Sequence, residues 1–317
     1  MLRAVRSLVT GGSPRLLSVG FLLTYRCNRK CAFCRLPDLA GSEMTTSEVM
    51  DLLTQFRRRG VTRCGLSGGE PLLREDLGDI VTRAAELGFL LNINTNGWLL
   101  AEQIDRLRAA RQITVSLDGP PELHDSARGT DSFARLVDGV RAAQHAGLRT
   151  AAIVVVTTHN LPVLRETLLL AKNMELTTYL QPVTACDVSG PLAEELQPEV
   201  ARFVAEIRWI LDHRASFRLG SSPAFLRHLL HYPHWDQNIR CRAGERFVYV
   251  TPTGELTACH VHFEQEYRPS ALKLGVDAAL SELRRPACCG CAISPYMELS
   301  LIANLNPGSI WHALRAV

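Results

Sequence analysis

The chain lacks any apolar run near the length needed to cross a bilayer, which excludes a helical membrane-spanning class. It lacks charge of one sign. Its 35 basic and 32 acidic residues leave a net charge of +3, too balanced to argue for a nucleic-acid or membrane-surface partner. It also lacks a signal peptide's apolar centre, because Gly11-Gly12-Ser13-Pro14 interrupts the start; residues 1–17 read as a short helix and a linker. Low-complexity segments are missing. What is present is a 46% hydrophobic, 21% charged chain of 317 residues, enough for one large domain or one large and one small.

Cysteine is plentiful and clustered. Cys27, Cys31 and Cys34 form a C-x3-C-x2-C group, and Cys288, Cys289 and Cys291 form another. Clusters of this kind suit metal ligation in a reducing compartment, so a cytoplasmic location is expected. Three thiolates in one loop can hold three irons of a 4Fe–4S cluster and leave the fourth iron open. Structural zinc is the competing reading, but zinc wants four ligands and no further Cys or His lies nearby before Cys64. The adjacent Arg26, Arg29 and Lys30 are expected to lower the thiol pKa values.

Short apolar strands alternate with amphipathic helices from Ser18 onward. Strands are expected at Ser18–Thr24, Arg63–Leu66, Phe89–Asn94, Ile113–Leu117, Ala151–Val156 and Thr178–Pro182. Helices are expected near Ser47–Arg59 (capped by Thr46), Asp76–Leu87, Leu100–Ala109, Ser132–His145, Leu161–Asn173 and Pro198–His213. The β-branched run at 151–156 suits a strand buried on both faces. Six β-then-α units argue for a parallel sheet with helices outside, short of the eight that close a full barrel. After about residue 214 the rhythm changes. A hairpin turning at Pro252-Thr253-Gly254, a helix at Val276–Leu283 and two short helical stretches follow, with a domain boundary near Phe217. The expected division is 1–17 linker, 18–216 core and 217–317 C-terminal extension.

The cysteine loop, with Phe33 just before its last cysteine, resembles the radical S-adenosylmethionine (radical SAM) superfamily. That resemblance implies a partial (β/α)6 TIM-like barrel and an open iron chelated by S-adenosylmethionine, whose cleavage releases a 5′-deoxyadenosyl radical. Gly68-Gly69-Glu70-Pro71 after the second strand resembles the GGE motif, which receives the cofactor's amino group; its two glycines are expected to admit a ligand close to the backbone. Thr95-Asn96-Gly97 resembles the TNG turn near the cofactor or substrate. Ser116-Leu117-Asp118-Gly119, with His124-Asp125 and Arg128, resembles the segment in which a serine and an arginine hold the cofactor carboxylate, here Ser116 and Arg128. Leu180 on the sixth strand would by the same resemblance pack near the adenine.

Cys241, Cys259, Cys288 and Cys291 resemble the twitch form of the SPASM extension, which carries one auxiliary 4Fe–4S cluster; a zinc knuckle with the same thiolates is the alternative. Cys289 could replace Cys288. Cys64 reads as a buried strand residue and Cys186 as a loop thiol. His260, directly after Cys259, is a candidate proton acceptor for a substrate radical.

The resemblance implies a radical SAM oxidoreductase or related enzyme fed by an electron donor such as flavodoxin or ferredoxin. The expected substrate is a small biosynthetic intermediate that gives up a hydrogen. The alternative is a peptide or protein side chain, and the remoter one a non-catalytic metal-binding scaffold. The tail and second site of the cyclic pyranopterin synthases are missing. About twenty residues precede the first strand, too few for the leader-binding domain common among peptide maturases.

Overall fold

The structure, a computed structural model, describes residues 16–31, 33–34, 36–39, 41–183, 186–187, 190–191, 194–235, 239–259, 267–285 and 291–315. The strands of the repeating units are β1 (Ser18–Leu22), β2 (Arg63–Ser67), β3 (Leu90–Thr95), β4 (Gln112–Ser116), β5 (Arg149–Val156) and β6 (Thr177–Pro182). Between and after them run α1 (Thr46–Arg58), α2 (Leu77–Glu86), α3 (Leu100–Gln103), α4 (Pro121–Arg128), α5 (Ser132–His145), α6 (Leu164–Asn173) and α7 (Val200–Asp212). These six strands pair in chain order and in parallel, as right-handed βαβ units do.

The first helix shows why the chain folds as it does. Thr45, one residue before the expected cap, closes a capping box with Glu48, worth about 1 kcal/mol. Val49, Leu52, Leu53 and Phe56 then fall on one buried face, and Phe56 meets Phe21 of β1 edge-on at 6.0 Å. One helix escaped the sequence reading. Pro121 starts α4, because a proline at the first helical position loses no hydrogen bond.

After a two-residue ladder of β7 (Cys186–Asp187) and β8 (Gly190–Pro191), the C-terminal part adds α8 (Pro223–Leu229), β9 (Phe247–Val250), β10 (Leu256–Thr257), α9 (Ala271–Leu274), α10 (Val276–Glu282), α11 (Ser294–Ala303) and α12 (Pro307–Arg315). The β9–β10 hairpin continues the main sheet, β9 lying parallel to β1, so the order is β10-β9-β1-β2-β3-β4-β5-β6.

Side-chain alternation separates a helix-facing side from a lumen. Val19, Phe21, Cys64, Leu66, Ile93 and Val115 enter the helix-packed core. The expectation that β5 is buried on both faces holds at Ala151 and Ala152 and fails further along: Val154 and Val156 are buried, but Ile153 and Val155, facing the lumen, stay partly exposed. The barrel is open, so its inner face is not filled by facing side chains as in a closed barrel.

Helix α11 runs down the gap between the two sheet edges. Ser294 N–H donates to Gln181 Oε1 of β6 at 3.3 Å, and Ser222 N–H donates to Glu298 Oε1 at 2.6 Å. On the other side, Tyr296 stacks on Phe247 of β9, next to the edge strand β10, at 4.8 Å and meets Tyr249 edge-on at 5.4 Å. Arg242, just before β9, donates its N–H to Ser300 Oγ. The helix is apolar on several sides, as a stave between two walls must be. Among the described residues no helix is long and apolar enough to cross a membrane.

Burial pushes the Glu298 carboxyl up to about 7 despite the Ser222 bonds that oppose it. A carboxyl raised on folding contributes stability that is full below its unfolded pKa and is lost as pH rises through its folded one. The metal-free protein should therefore lose stability between about pH 4.5 and 7 more steeply than Glu298→Gln, read by thermal unfolding across that range. Equal slopes would contradict the raised carboxyl.

Candidate active site

The cysteine loop leaves the C-terminal end of β1 and is pinned there by the turn after β2. Leu23 N–H donates to Ser67 O, Gly69 N–H to Thr24 O, and Glu70 N–H to Arg26 O, each at 2.8 Å. The two glycines are required by this closeness. Gly68 sits at φ +132°, and a Cβ there would lie 2.5 Å from Thr24 O; one on Gly69 would lie 2.2 Å from Arg26 O. The close approach expected of a ligand is thus made by the root of the cysteine loop itself.

Glu70 is fully buried. Leu72 N–H and Thr95 Oγ1–H donate to its Oε1 at 3.0 and 2.9 Å, and Asn96 N–H donates to its Oε2 at 2.8 Å. Burial still wins over these donors and over Arg128, raising the carboxyl to about 7. Asn96 turns back on the loop, its Nδ2 donating to Asn28 Oδ1 at 2.8 Å and reaching within 3.8 Å of Cys27 Sγ. The GGE and TNG turns and the cysteine loop therefore form one connected unit.

Arg128, at the end of α4, enters from the other side. It is 7% exposed, and its Nε donates to Asp118 Oδ2 at 2.5 Å. Its Nη1 lies 3.6 Å from Cys31 Sγ, and the guanidinium sits 5.6 Å from the centre of the Phe33 ring. Burial opposes its charge, but Asp118, Cys31 and Cys34 more than offset that, and its pKa is raised. Breaking such a buried pair by removing one partner costs about 3–5 kcal/mol. Asp118 was not singled out from the sequence as a site residue, although it lies within the quoted motif. His124 is fully buried, accepts from Asp118 N–H through Nδ1, and has its pKa lowered to about 4 by burial and by Arg128.

The expected lowering of the cysteine pKa values is reversed. Burial raises both Cys27 and Cys31; for Cys31 it outweighs Arg128 and Arg29. The neighbouring cations mostly point elsewhere: Arg26 pairs with Glu43 at 3.1 Å, Arg29 lies 3.6 Å over the Trp98 ring, and Lys30 is exposed. Iron binding must then displace protons from these thiols.

The three thiols fit a shared metal group in their chemistry, three soft sulfur donors on one short loop. Cys31 acts electrostatically on Cys27, and Cys31 and Cys34 both act on Arg128. None is in a disulfide. Among the described residues no three His, Cys, Asp or Glu side chains stand close enough together to hold a single metal ion. Beside the loop, Phe33, Asp118, Ser126, Thr157, His159 and Asn160 line a cavity of about 340 Å³. The residues after β5 were also missed; Asn160 is held by Thr157 N–H and by Val155 O, an Asx-type turn that Thr157-Thr158-His159-Asn160 could have signalled.

The remaining sequence-predicted residues divide. Ser116 ends β4 on the lumen face, opposite Ile153. Leu180 does not belong to the site. It is fully buried with Val154, Leu168 and Phe203 in the helix-facing core, and its neighbours Tyr179 and Gln181 face the lumen instead. Cys64 is buried in the core, which pushes its thiol pKa up. Cys259 lies in a packed cluster with Ala243, Phe247, Ile293 and Tyr296, and Cys241 and Cys291 pack against that cluster. Cys288, Cys289 and His260 lie outside the described residues, as does the side chain of Cys186.

A buried carboxylate and a buried guanidinium facing a three-thiol loop, at the C-terminal mouth of a parallel partial barrel, suit a zwitterionic cofactor beside a thiolate-held metal group. Comparison with known proteins agrees. The Radical SAM superfamily profile matches residues 21–171. An AdoMet-dependent heme synthase of Methanosarcina barkeri is 33% identical over 273 residues, covering 78% of this chain and 77% of its own length. Mycofactocin maturase MftC of Mycobacterium ulcerans is 29% identical over 248 residues, covering 75% of this chain and 66% of its own. The S-adenosylmethionine-bound structure of Streptococcus suis SuiB superposes with TM-score 0.69 at 16% identity, covering 83% of this chain and 65% of that one. The chain thus spans just under two thirds of the length of MftC and SuiB. It belongs to the radical SAM superfamily, a family whose members use a 4Fe–4S cluster and S-adenosylmethionine.

Gly69→Ala should push the cysteine loop off the β2 turn. Iron retained after anaerobic reconstitution should fall by half or more, while an alanine at Gly65, where a Cβ meets nothing within 4 Å and the backbone is an ordinary strand, should not reduce it. Full iron loading in Gly69→Ala would show that the clasp does not hold the loop.

Proposed function

We propose that Cys27, Cys31 and Cys34 hold the 4Fe–4S cluster and that Glu70, Ser116 and Arg128 orient S-adenosylmethionine beside it. Bound together, cluster and cofactor supply a 5′-deoxyadenosyl radical that abstracts a substrate hydrogen. The chain's own part is to bind and aim. Glu70, the buried acceptor on the β2 turn, receives the ammonium end, and Asn96 ties that turn to Cys27. Arg128 spends Nε on Asp118 and presents its remaining donors beside Cys31, where the carboxylate end belongs. Ser116 adds a hydroxyl from the lumen face, and the cavity beside Phe33 takes the adenosine portion.

The substrate in this reading is a small-molecule biosynthetic intermediate. The observation behind it is α11, which touches β6 on one side and β9 on the other and so narrows the lateral way into the lumen. The 33%-identical relative is named a heme synthase, and heme is a small molecule rather than a peptide. A peptide substrate is the second reading, favoured by the likeness to the maturase MftC. Cys241, Cys259 and Cys291, with Cys288, would hold an auxiliary 4Fe–4S cluster or a zinc ion; the packing of Cys241 and Cys291 against the side-chain cluster that includes Cys259 supports a common metal. An electron donor of the flavodoxin or ferredoxin kind completes the system, and His260 is the proposed proton acceptor.

Two experiments test this. Replacing Cys27, Cys31 and Cys34 together should remove about four of roughly eight irons and all 5′-deoxyadenosine formation under dithionite; continued cofactor cleavage would sink the assignment. Arg128→Ala should weaken S-adenosylmethionine binding about tenfold or more, since charge-assisted bonds are worth roughly 1.5–3 kcal/mol. An unchanged dissociation constant by equilibrium dialysis would remove Arg128 from the cofactor site.

A further inference from the structure

The lumen beneath the cysteine loop has a polar wall and an empty place. Thr114 Oγ1 donates to Asn92 Oδ1 at 2.8 Å, Asn92 Nδ2 to Asn94 Oδ1 at 2.9 Å, and Gln112 Nε2 to Thr114 Oγ1 at 3.2 Å. This ladder stands beside Gly65, which pairs with Asn92 on one side and with Gly20 on the other. The two glycines differ. A Cβ on Gly20 would lie 2.3 Å from the Tyr249 ring, so Gly20 makes room for a side chain of the protein itself. A Cβ on Gly65 would meet nothing within 4 Å. No packing demand of the described residues explains a glycine there, in mid-strand, where it weakens the strand and often marks the close approach of another molecule.

Two residues below, on the same lumen face of β2, stands Arg63. Cys64 and Leu66 point to the helices, so Arg63, Gly65 and Ser67 point inward. Arg63 remains open to solvent at the foot of the lumen, near enough to Tyr179 across the lumen and to Arg111 for both to act on its charge. No carboxylate pairs with its guanidinium among the described residues. A cation crowded by a second arginine and given no counter-charge is a ready partner for an oxyanion, which its planar fork can take by two parallel bonds.

We propose that the space over Gly65 is the substrate seat and that Arg63, at its floor, grips an oxyanion of the substrate, a carboxylate or a phosphate. The seat lies about 10 Å along β2 from the turn that clasps the cysteine loop, at 3.3 Å per residue. An anchored anion would leave the rest of a small molecule reaching toward that loop. The proposal rests on the small-molecule reading above and names its substrate class as polar and anionic.

The test uses the full-length, anaerobically reconstituted enzyme. Phenylglyoxal labelling of Arg63, followed by peptide mass spectrometry, is measured alone and with glutarate, inorganic phosphate or the neutral glutaramide. Glutarate or phosphate should slow labelling at least threefold and glutaramide should not; the more protective anion distinguishes a carboxylate from a phosphate. Gly65→Val should abolish the protection while iron content and S-adenosylmethionine affinity stay at wild-type values, and Gly65→Ala should weaken it. Arg63 labelled equally under all conditions overturns the proposal. Protection undiminished in Gly65→Val means an adventitious ion only, and overturns it too. Because labelling does not depend on turnover, a wild-type protein that forms no 5′-deoxyadenosine would sink the functional reading without deciding this one.

Discussion

The site depends on a backbone clasp. Gly69 and Glu70 donate their N–H groups to the carbonyls of Thr24 and Arg26, and only residues without a Cβ fit at 68 and 69. The clasp fixes the start of the cysteine loop to the end of β2. The same three residues carry Glu70 into a buried position where β3's turn completes its hydrogen bonds. One motif thus fulfils two tasks: its glycines position the metal-ligand loop and its carboxylate serves the cofactor. Separating them by mutation requires reading iron content and cofactor affinity independently.

Opposite the clasp, Arg128 closes the mouth from α4. A buried arginine beside Cys31 and Cys34 would be costly alone, and Asp118 supplies the compensating charge. The cavity beside Phe33 opens next to this pair, and the polar lumen falls away beneath it. The gap left by an incomplete barrel is occupied by α11, whose Tyr296 packs both against the lumen-facing Tyr249 and within the cluster that gathers Cys241, Cys259 and Cys291. The two cysteine groups, far apart in sequence, belong to one architecture because β9 pairs with β1.

The sequence made the six βα units, the cysteine loop and the turn motifs legible because each is a local pattern. It misled where the answer is three-dimensional. Leu180 lies on a strand with apolar residues at every other place, and the strand alone does not say which face meets the helices. The arginines beside Cys27 and Cys31 looked like thiol-activating charges, but Arg26 and Arg29 are drawn off by Glu43 and Trp98, and burial then dominates. The charge that does reach the loop, Arg128, comes from about a hundred residues later. The pairing of β9 with β1 leaves no local trace at all, and Gly65 and Gly20 look alike until the space over each is known.

The central claim is that the three-cysteine loop holds a cluster with one iron open to S-adenosylmethionine. Electron paramagnetic resonance of the dithionite-reduced, reconstituted protein tests it most directly, with spectra taken before and after the cofactor is added. The account predicts that the signal of the cluster lost in the Cys27, Cys31 and Cys34 variant shifts its g values on cofactor addition, while any signal that survives in that variant does not move. A cofactor-insensitive signal from the three-cysteine loop would contradict it.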